Sequence, residues 1–167
     1  MIESARRATR AVNRAFLALA GVLALGIFAA MLYDLVMRNA FDAPTLWALD
    51  VSRFMLLYLF FLALAPALEA GSHVSVDVLA DRMPPVATRW LRCAALVLTI
   101  VFGAILLWQL SRATRDAFAR DEVFPIAVPI PVKYVYWIGP LGTLQFLLTA
   151  VVELVSLWIP SSASRSS

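Results

Sequence analysis

The 167-residue chain has one cysteine, Cys93, and one histidine, His73. A single cysteine excludes an internal disulfide and any metal site built on paired thiolates. Lying in an apolar run, Cys93 reads as a small packing residue. A single histidine, placed in a connection between apolar runs, excludes the paired axial ligands that heme would need inside them. Charge is scarce as well, since Asp, Glu, Lys and Arg make up 15% of the residues. The chain also lacks a Gly-rich phosphate loop and a Ser/His/Asp arrangement. Catalysis has almost no residues to work with, so no enzyme activity and no cofactor is expected.

What the chain has is apolar surface: 62% of its residues are hydrophobic and its mean hydropathy is +0.84. That is too much to cover with polar groups in water, so the chain reads as an all-α integral membrane protein. Its length allows a single domain of about four transmembrane helices and leaves no room for a separate soluble enzyme domain. A net charge of +3 and a pI near 9.5 would suit nucleic-acid binding. The arginines, however, are dispersed around apolar runs and form no basic stripe with interleaved aromatics, so no nucleic acid is expected.

Four runs are long enough to cross a hydrocarbon core, which takes roughly 20 helical residues. They are residues 15–37, 46–68, 91–110 and 132–158. The first contains a lone charge, Asp34, and follows Arg6, Arg7, Arg10 and Arg14. A basic flank of this kind is normally retained in the cytoplasm, and no small-residue cleavage site marks it as a removed signal. With an even number of spans, both termini are expected in the cytoplasm. That layout places eight of the fourteen Lys and Arg residues inside and six outside. Residues 1–160 then form the membrane domain and 161–167, SSASRSS, a polar tail. Pro66 and Pro140 fall inside spans two and four and are expected to bend them. Prolines 125, 129 and 131 predict an extended entry into span four.

The stretch EAGSHVSVD, residues 69–77, spaces Glu69, His73 and Asp77 by four. On an unbroken helix these three side chains share a face and suit a divalent ion. Against this, Gly71 and Ser72 suggest that span two ends there. A fresh apolar period at Val76, Leu79, Ala80 and Met83 predicts a short interfacial helix between spans two and three, capped by Ser75 and stopped by Pro84 and Pro85. A turn followed by an interfacial helix is therefore preferred to a metal site, and His73 is given a structural role. Asp34 stands four residues before Arg38 and Asp50 three before Arg53, spacings that predict ion pairs near an interface; Glu153 stands alone near the end of span four.

Taken in order, Tyr33 and Arg38 closing span one, Trp47, Asp50 and Arg53 opening span two, GSHVSVD after it, Pro84, and PIPVKY before span four resemble one family. It is the small membrane subunit, the DctQ-type component, of tripartite ATP-independent periplasmic (TRAP) transporters. The likeness runs from Tyr33 to Pro140, and Asp50 departs from the family's more frequent glutamate. The resemblance implies a four-helix scaffold in a bacterial inner membrane, packed on a much larger multi-span permease subunit. That subunit carries the sodium and substrate sites, and a periplasmic substrate-binding protein delivers an organic acid. It also implies structural or partner-contacting roles, among partners and membrane lipids, for Arg38, Trp47, Asp50, Arg53, Gly71, His73, Asp77 and Pro131. Two other readings stay open: a membrane anchor of a redox complex, and a self-sufficient small channel or exporter.

Overall fold

The computed structural model describes residues 2–74, 85–120, 123–124 and 131–158. Every extended element in them is helical: α1 (Ile2–Phe41), α2 (Trp47–Val74), α3 (Pro85–Arg120), α4 (Val132–Tyr136) and α5 (Ile138–Ser156). Four segments, Glu3–Phe41, Trp47–Gly71, Val86–Arg120 and Val132–Ser156, are long and apolar enough to cross a membrane. All four expected spans are present, and three of them are embedded in longer helices. With 40 residues, α1 is about 60 Å long, twice the hydrocarbon thickness. Arg6, Arg7, Arg10 and Arg14 therefore sit on the same continuous helix as the span they precede.

Helix α1 stops at Asp42, which takes the left-handed conformation with φ 50°. Asp tolerates this conformation better than most residues because its short side chain bonds locally. The Ala43 amide folds back to the Met37 carbonyl at 3.1 Å, and Pro44 cannot continue the helix. The end expected for span two is corrected by the structure, because Gly71 and Ser72 do not terminate it and α2 stays helical to Val74. Among the described residues no glycine has a positive φ, so Gly71 is not a left-handed cap. A mid-helix glycine costs about 1 kcal/mol relative to alanine, which weakens a helix without ending it. Helix α2 likewise continues through Pro66. The expected interfacial helix, with Ser75, Val76, Leu79, Ala80 and Met83, lies outside the described residues, as do Pro84 and the 161–167 tail. Pro85 opens α3, a position where its missing N–H leaves no bond unmade.

Span four is broken where its sequence suggests. Pro140 has no N–H to offer the Tyr136 carbonyl one turn back, and α4 and α5 are separated there by Trp137 alone. The freed Tyr136 carbonyl accepts a bond from Thr114 Oγ1 on α3 at 3.2 Å. The same hydroxyl also reaches the Leu110 carbonyl at 2.8 Å.

The helices form a row in the order α1, α2, α4–α5, α3, each packed mainly on its neighbours, with α1 also touching α5 over a short stretch. The row does not close into a barrel-like bundle, and its apolar core is correspondingly thin. Ala20, Phe61, Leu62 and Ile138 are its buried centre, with Phe16, Leu23, Leu57, Tyr58 and Leu110 packed around them. Large side chains such as Leu25, Phe28, Leu98 and Phe102 point outward. The two broad apolar faces are thus available to lipid or to another membrane subunit.

Where helices in the row touch, small residues let them approach. A Cβ on Gly142 of α5 would meet the Phe61 Cβ of α2 at 2.8 Å and also its backbone carbonyl. A Cβ on Gly103 of α3 would meet Leu147 Cδ2 at 2.8 Å, the movable end of a side chain. Around Gly21 there is nothing within 4 Å. Gly142→Ala is therefore expected to destabilise by about 1–3 kcal/mol, read as a lower melting temperature of the detergent-solubilised protein. Gly103→Ala should cost less, and Gly21→Ala, in open space within α1, should cost nothing or stabilise slightly; equal melting of all three would refute this account of the α2–α5 crossing.

Candidate functional site

Two rims flank the apolar row. One carries the ends Phe41, Trp47, Arg120 and Val132, and the other carries the chain N-terminus, Val74, Pro85 and Ser156. At the first rim, Asp34 binds more than the i+4 partner its spacing predicts. Its Oδ2 takes the Arg38 guanidinium at 2.9 Å. Its Oδ1 accepts the Thr45 amide at 2.9 Å, and also the Thr45 hydroxyl. One carboxylate thus closes the α1–α2 turn and satisfies an amide just ahead of α2, where helix donors lack intrahelical partners. Tyr33 packs on Trp47 across the same turn, with ring centroids 5.9 Å apart. Within α2, Asp50 and Arg53 pair at 3.5 Å, the aspartate nearly enclosed and the arginine exposed. Arg38, Trp47, Asp50 and Arg53 therefore cluster at one rim, as short local structures on α1 and α2.

Pro131 lies at this rim too, in extended backbone (φ −58°, ψ 129°), where it forms an isolated antiparallel bridge with Val123. Pro125 and Pro129 lie outside the described residues. The neighbouring α4–α5 break is held to α2 by Tyr58, whose hydroxyl accepts from Trp137 Nε1 at 2.9 Å and donates to the Tyr134 carbonyl. Phe54 and Phe124 stack beside it at 5.3 Å.

The opposite rim holds an enclosed polar group, a knot of three helices around Asn13. Asn13 is 2% exposed, Gln145 8% and Thr149 1%. Asn13 Nδ2 donates to Glu69 Oε2 at 2.7 Å, and Gln145 Nε2 donates to Asn13 Oδ1 at 2.8 Å. Thr149 Oγ1 lies 3.3 Å from Nδ2 and donates to the Gln145 carbonyl at 2.9 Å. Arg10 Nε faces Glu69 Oε1 at 3.5 Å. Glu153, isolated in sequence, lines a small void of about 10 Å³ together with Arg6, Arg10 and Glu69.

Of the residues singled out in EAGSHVSVD, Glu69 belongs to this knot. Gly71 lies on α2 with nothing within 4 Å of an added Cβ. His73 lies on the α2 backbone, its side chain outside the described atoms, and Asp77 is outside them altogether. Because α2 is unbroken past His73, a broken helix is no longer a reason to set the metal reading aside. The physical reason that remains is that Glu69 already serves Asn13 and Arg10.

The Asn13 knot was not read from the sequence, although a signal for it existed. Gln145 and Thr149 are polar, four apart in an otherwise apolar span, and so share one face. Polar residues of this kind inside a membrane helix usually bond across to a neighbour.

The family model of the tripartite ATP-independent periplasmic transporters, DctQ component, matches residues 27–159. The chain belongs to this family. It is a family of transporter permease subunits, not of enzymes, which selects the transporter subunit among the three readings the sequence leaves open. The sialic acid TRAP transporter small permease protein SiaQ of Vibrio cholerae is 26% identical over 97 residues, covering 58% of this chain and 56% of that protein. The sialic acid TRAP transporter permease protein SiaT of Haemophilus influenzae is 27% identical over 66 residues, 40% of this chain and 11% of that protein. The chain therefore spans about half of the first relative and about a tenth of the second. The DctQ match begins beyond Asn13, so one anchor of the inner knot lies outside the matched region while Glu69, Gln145 and Thr149 lie within it.

Asn13→Leu leaves Glu69 and the Gln145 amide without their central partner. It is expected to cost about 1–3 kcal/mol, whereas the double variant Asn13→Leu/Gln145→Leu should recover part of that loss. A double-mutant cycle on melting temperature checks this, and strictly additive losses would show that the knot does not act as a unit.

Proposed function

We propose that this small DctQ permease subunit acts as a scaffold, bracing a much larger membrane subunit during sodium-coupled uptake of an organic acid delivered by a periplasmic binding protein. The observation that carries this reading is the open row of helices. A chain that encloses a polar substrate path on its own needs helices that close around it, and here α1 and α3 stand at opposite ends of the row. A groove of about 700 Å³ is lined by Arg53, Leu56, Leu57, Leu59, Phe60, Ala63, Leu64 and Ala67. Such a wall suits a lipid or a helix of another subunit and offers an anion a single charged group. The sodium and substrate sites are accordingly assigned to the larger subunit, and a carboxylate substrate is the class the relatives' names suggest.

Orientation follows from the arginines. The bilayer favours a cytoplasmic location for a helix end bearing Arg6, Arg7, Arg10 and Arg14. The Asn13 rim then faces the cytoplasm and the Asp34–Trp47–Asp50 rim the periplasm, in a bacterial inner membrane. In this layout Arg38, Trp47, Asp50, Arg53 and Pro131 are available to contact the larger subunit or the binding protein near the outer surface.

Proteoliposomes test the scaffold reading. Uptake of a radiolabelled carboxylate is expected only when this chain, the large subunit and the binding protein are combined with a sodium gradient. Uptake by this chain alone would overturn it. A reporter fused at the C-terminus should be active only as a cytoplasmic reporter; periplasmic activity would invert the layout. For the Asp50–Arg53 pair, reversing both charges should impair complex assembly less than reversing either one, as co-purification with the large subunit would show.

A further inference from the structure

The rim that carries Asn13 has a second feature with no part in the scaffold reading. Val86, Arg89, Trp90 and Cys93, on one face of the first turns of α3, line a cleft of about 340 Å³ with Trp158, just beyond α5. The Arg89 guanidinium lies over the Trp158 ring, 4.7 Å from its centroid. Arg89 Nη2 donates to the Leu157 carbonyl at 2.7 Å, satisfying one of the carbonyls left without partners at the α5 end. Trp90 meets Trp158 edge-on with centroids 6.2 Å apart. The guanidinium is thereby held against the Trp158 ring, which Trp90 also contacts.

A guanidinium has five N–H donors in a rigid fork and keeps its charge at any physiological pH. The recorded bond to Leu157 uses one of them. The described residues lining the cleft supply two indoles, a valine and a cysteine around the arginine, and no carboxylate to balance its charge. Depth narrows the choice of anion. Arg89 immediately precedes the apolar run 91–110 and Trp158 follows the last helix, so the cleft lies where hydrocarbon meets headgroups, the usual level of tryptophan.

We propose that this cleft binds an anionic glycerophospholipid of the phosphatidylglycerol class. Its phosphodiester takes the remaining Arg89 donors and one acyl chain runs past Cys93 alongside the indoles. A zwitterionic lipid brings an ammonium group into a cleft whose lining offers it no anion, so the site discriminates by headgroup charge. The site would brace the junction of α3 with the end of α5, at the edge of the row farthest from α1. It does not depend on which rim faces the cytoplasm.

The test is native mass spectrometry of the purified chain in a neutral detergent, titrated with phosphatidylglycerol, with phosphatidylcholine, and with inorganic phosphate. Phosphatidylglycerol should bind at least about fivefold more tightly than phosphatidylcholine, the factor expected for one well-placed cation. Arg89→Gln should abolish that preference, while Arg112→Gln at the opposite rim should leave it intact. Because Arg89 also caps α5, Trp158→Ala supplies a second variant that opens the cleft without removing the cation. It should weaken phosphatidylglycerol binding and reduce tryptophan quenching by a brominated phosphatidylglycerol. Equal binding of the two lipids, or a preference that survives Arg89→Gln, would refute the site. Displacement of the lipid by millimolar inorganic phosphate would assign the cleft to a free anion instead.

Discussion

In a hydrocarbon solvent, burying leucine against leucine gains little, because lipid tails are as apolar as the side chains they replace. This constraint shapes the whole row of helices. Cohesion must come from close backbone approach and from polar groups that lipid cannot satisfy. The structure supplies both in sequence-distant pairs: Gly142 against Phe61, and Asn13 against Glu69, Gln145 and Thr149. The few buried large apolar residues, Phe61, Leu62 and Ile138 among them, are located by these contacts more than they create them.

The two rims solve the same problem differently. At the Asp34 rim the bonds are mostly local: Asp34 to Arg38 and Thr45, and Asp50 to Arg53. They fix a turn and a helix start, and because their arginines are exposed each ion pair is worth little in stability. At the Asn13 rim the bonds join residues more than fifty positions apart, and Asn13, Gln145 and Thr149 are enclosed while Glu69 is partly so. A buried amide without its partner costs more than an exposed ion pair gains. Alignment of α1 with α2 and α5 therefore rests on the second rim, while exposed charge is found at both.

The same asymmetry explains what could be read from the chain beforehand. Span number and position follow from apolar length, which is additive along the sequence, and the local pairs Asp34–Arg38 and Asp50–Arg53 follow from helical spacing. The break before α5 was legible because Pro140 acts on its own backbone. Helix ends were less legible: the arginines ahead of residue 15 are as helical as the span, since solvated polar residues continue a helix without changing its period. Gly71 was misread as an end because a glycine inside a helix weakens it without ending it. Asn13 was not singled out at all, because its meaning depends on Gln145 and Thr149, which only the folded row brings to it.

The open row also bears on how a subunit of this family can serve a moving partner. A closed bundle turns its apolar residues inward and meets a neighbour through its surface. A row leaves large apolar side chains such as Leu25, Phe28, Leu98 and Phe102 exposed, so in the proposed complex these are free to meet a neighbouring subunit or lipid. Such a layer resists bending across its width only if its edges are tied. At the α1 edge the tie is Asn13, inside the layer and bonded to two further helices. At the α3 edge, Arg89 joins the first turn of one helix to the last carbonyls of another. Thr114 joins α3 to the carbonyl that Pro140 releases. The layer is thus stiffened by polar bonds at its ends and left apolar across the middle, a division that fits the scaffold role proposed above.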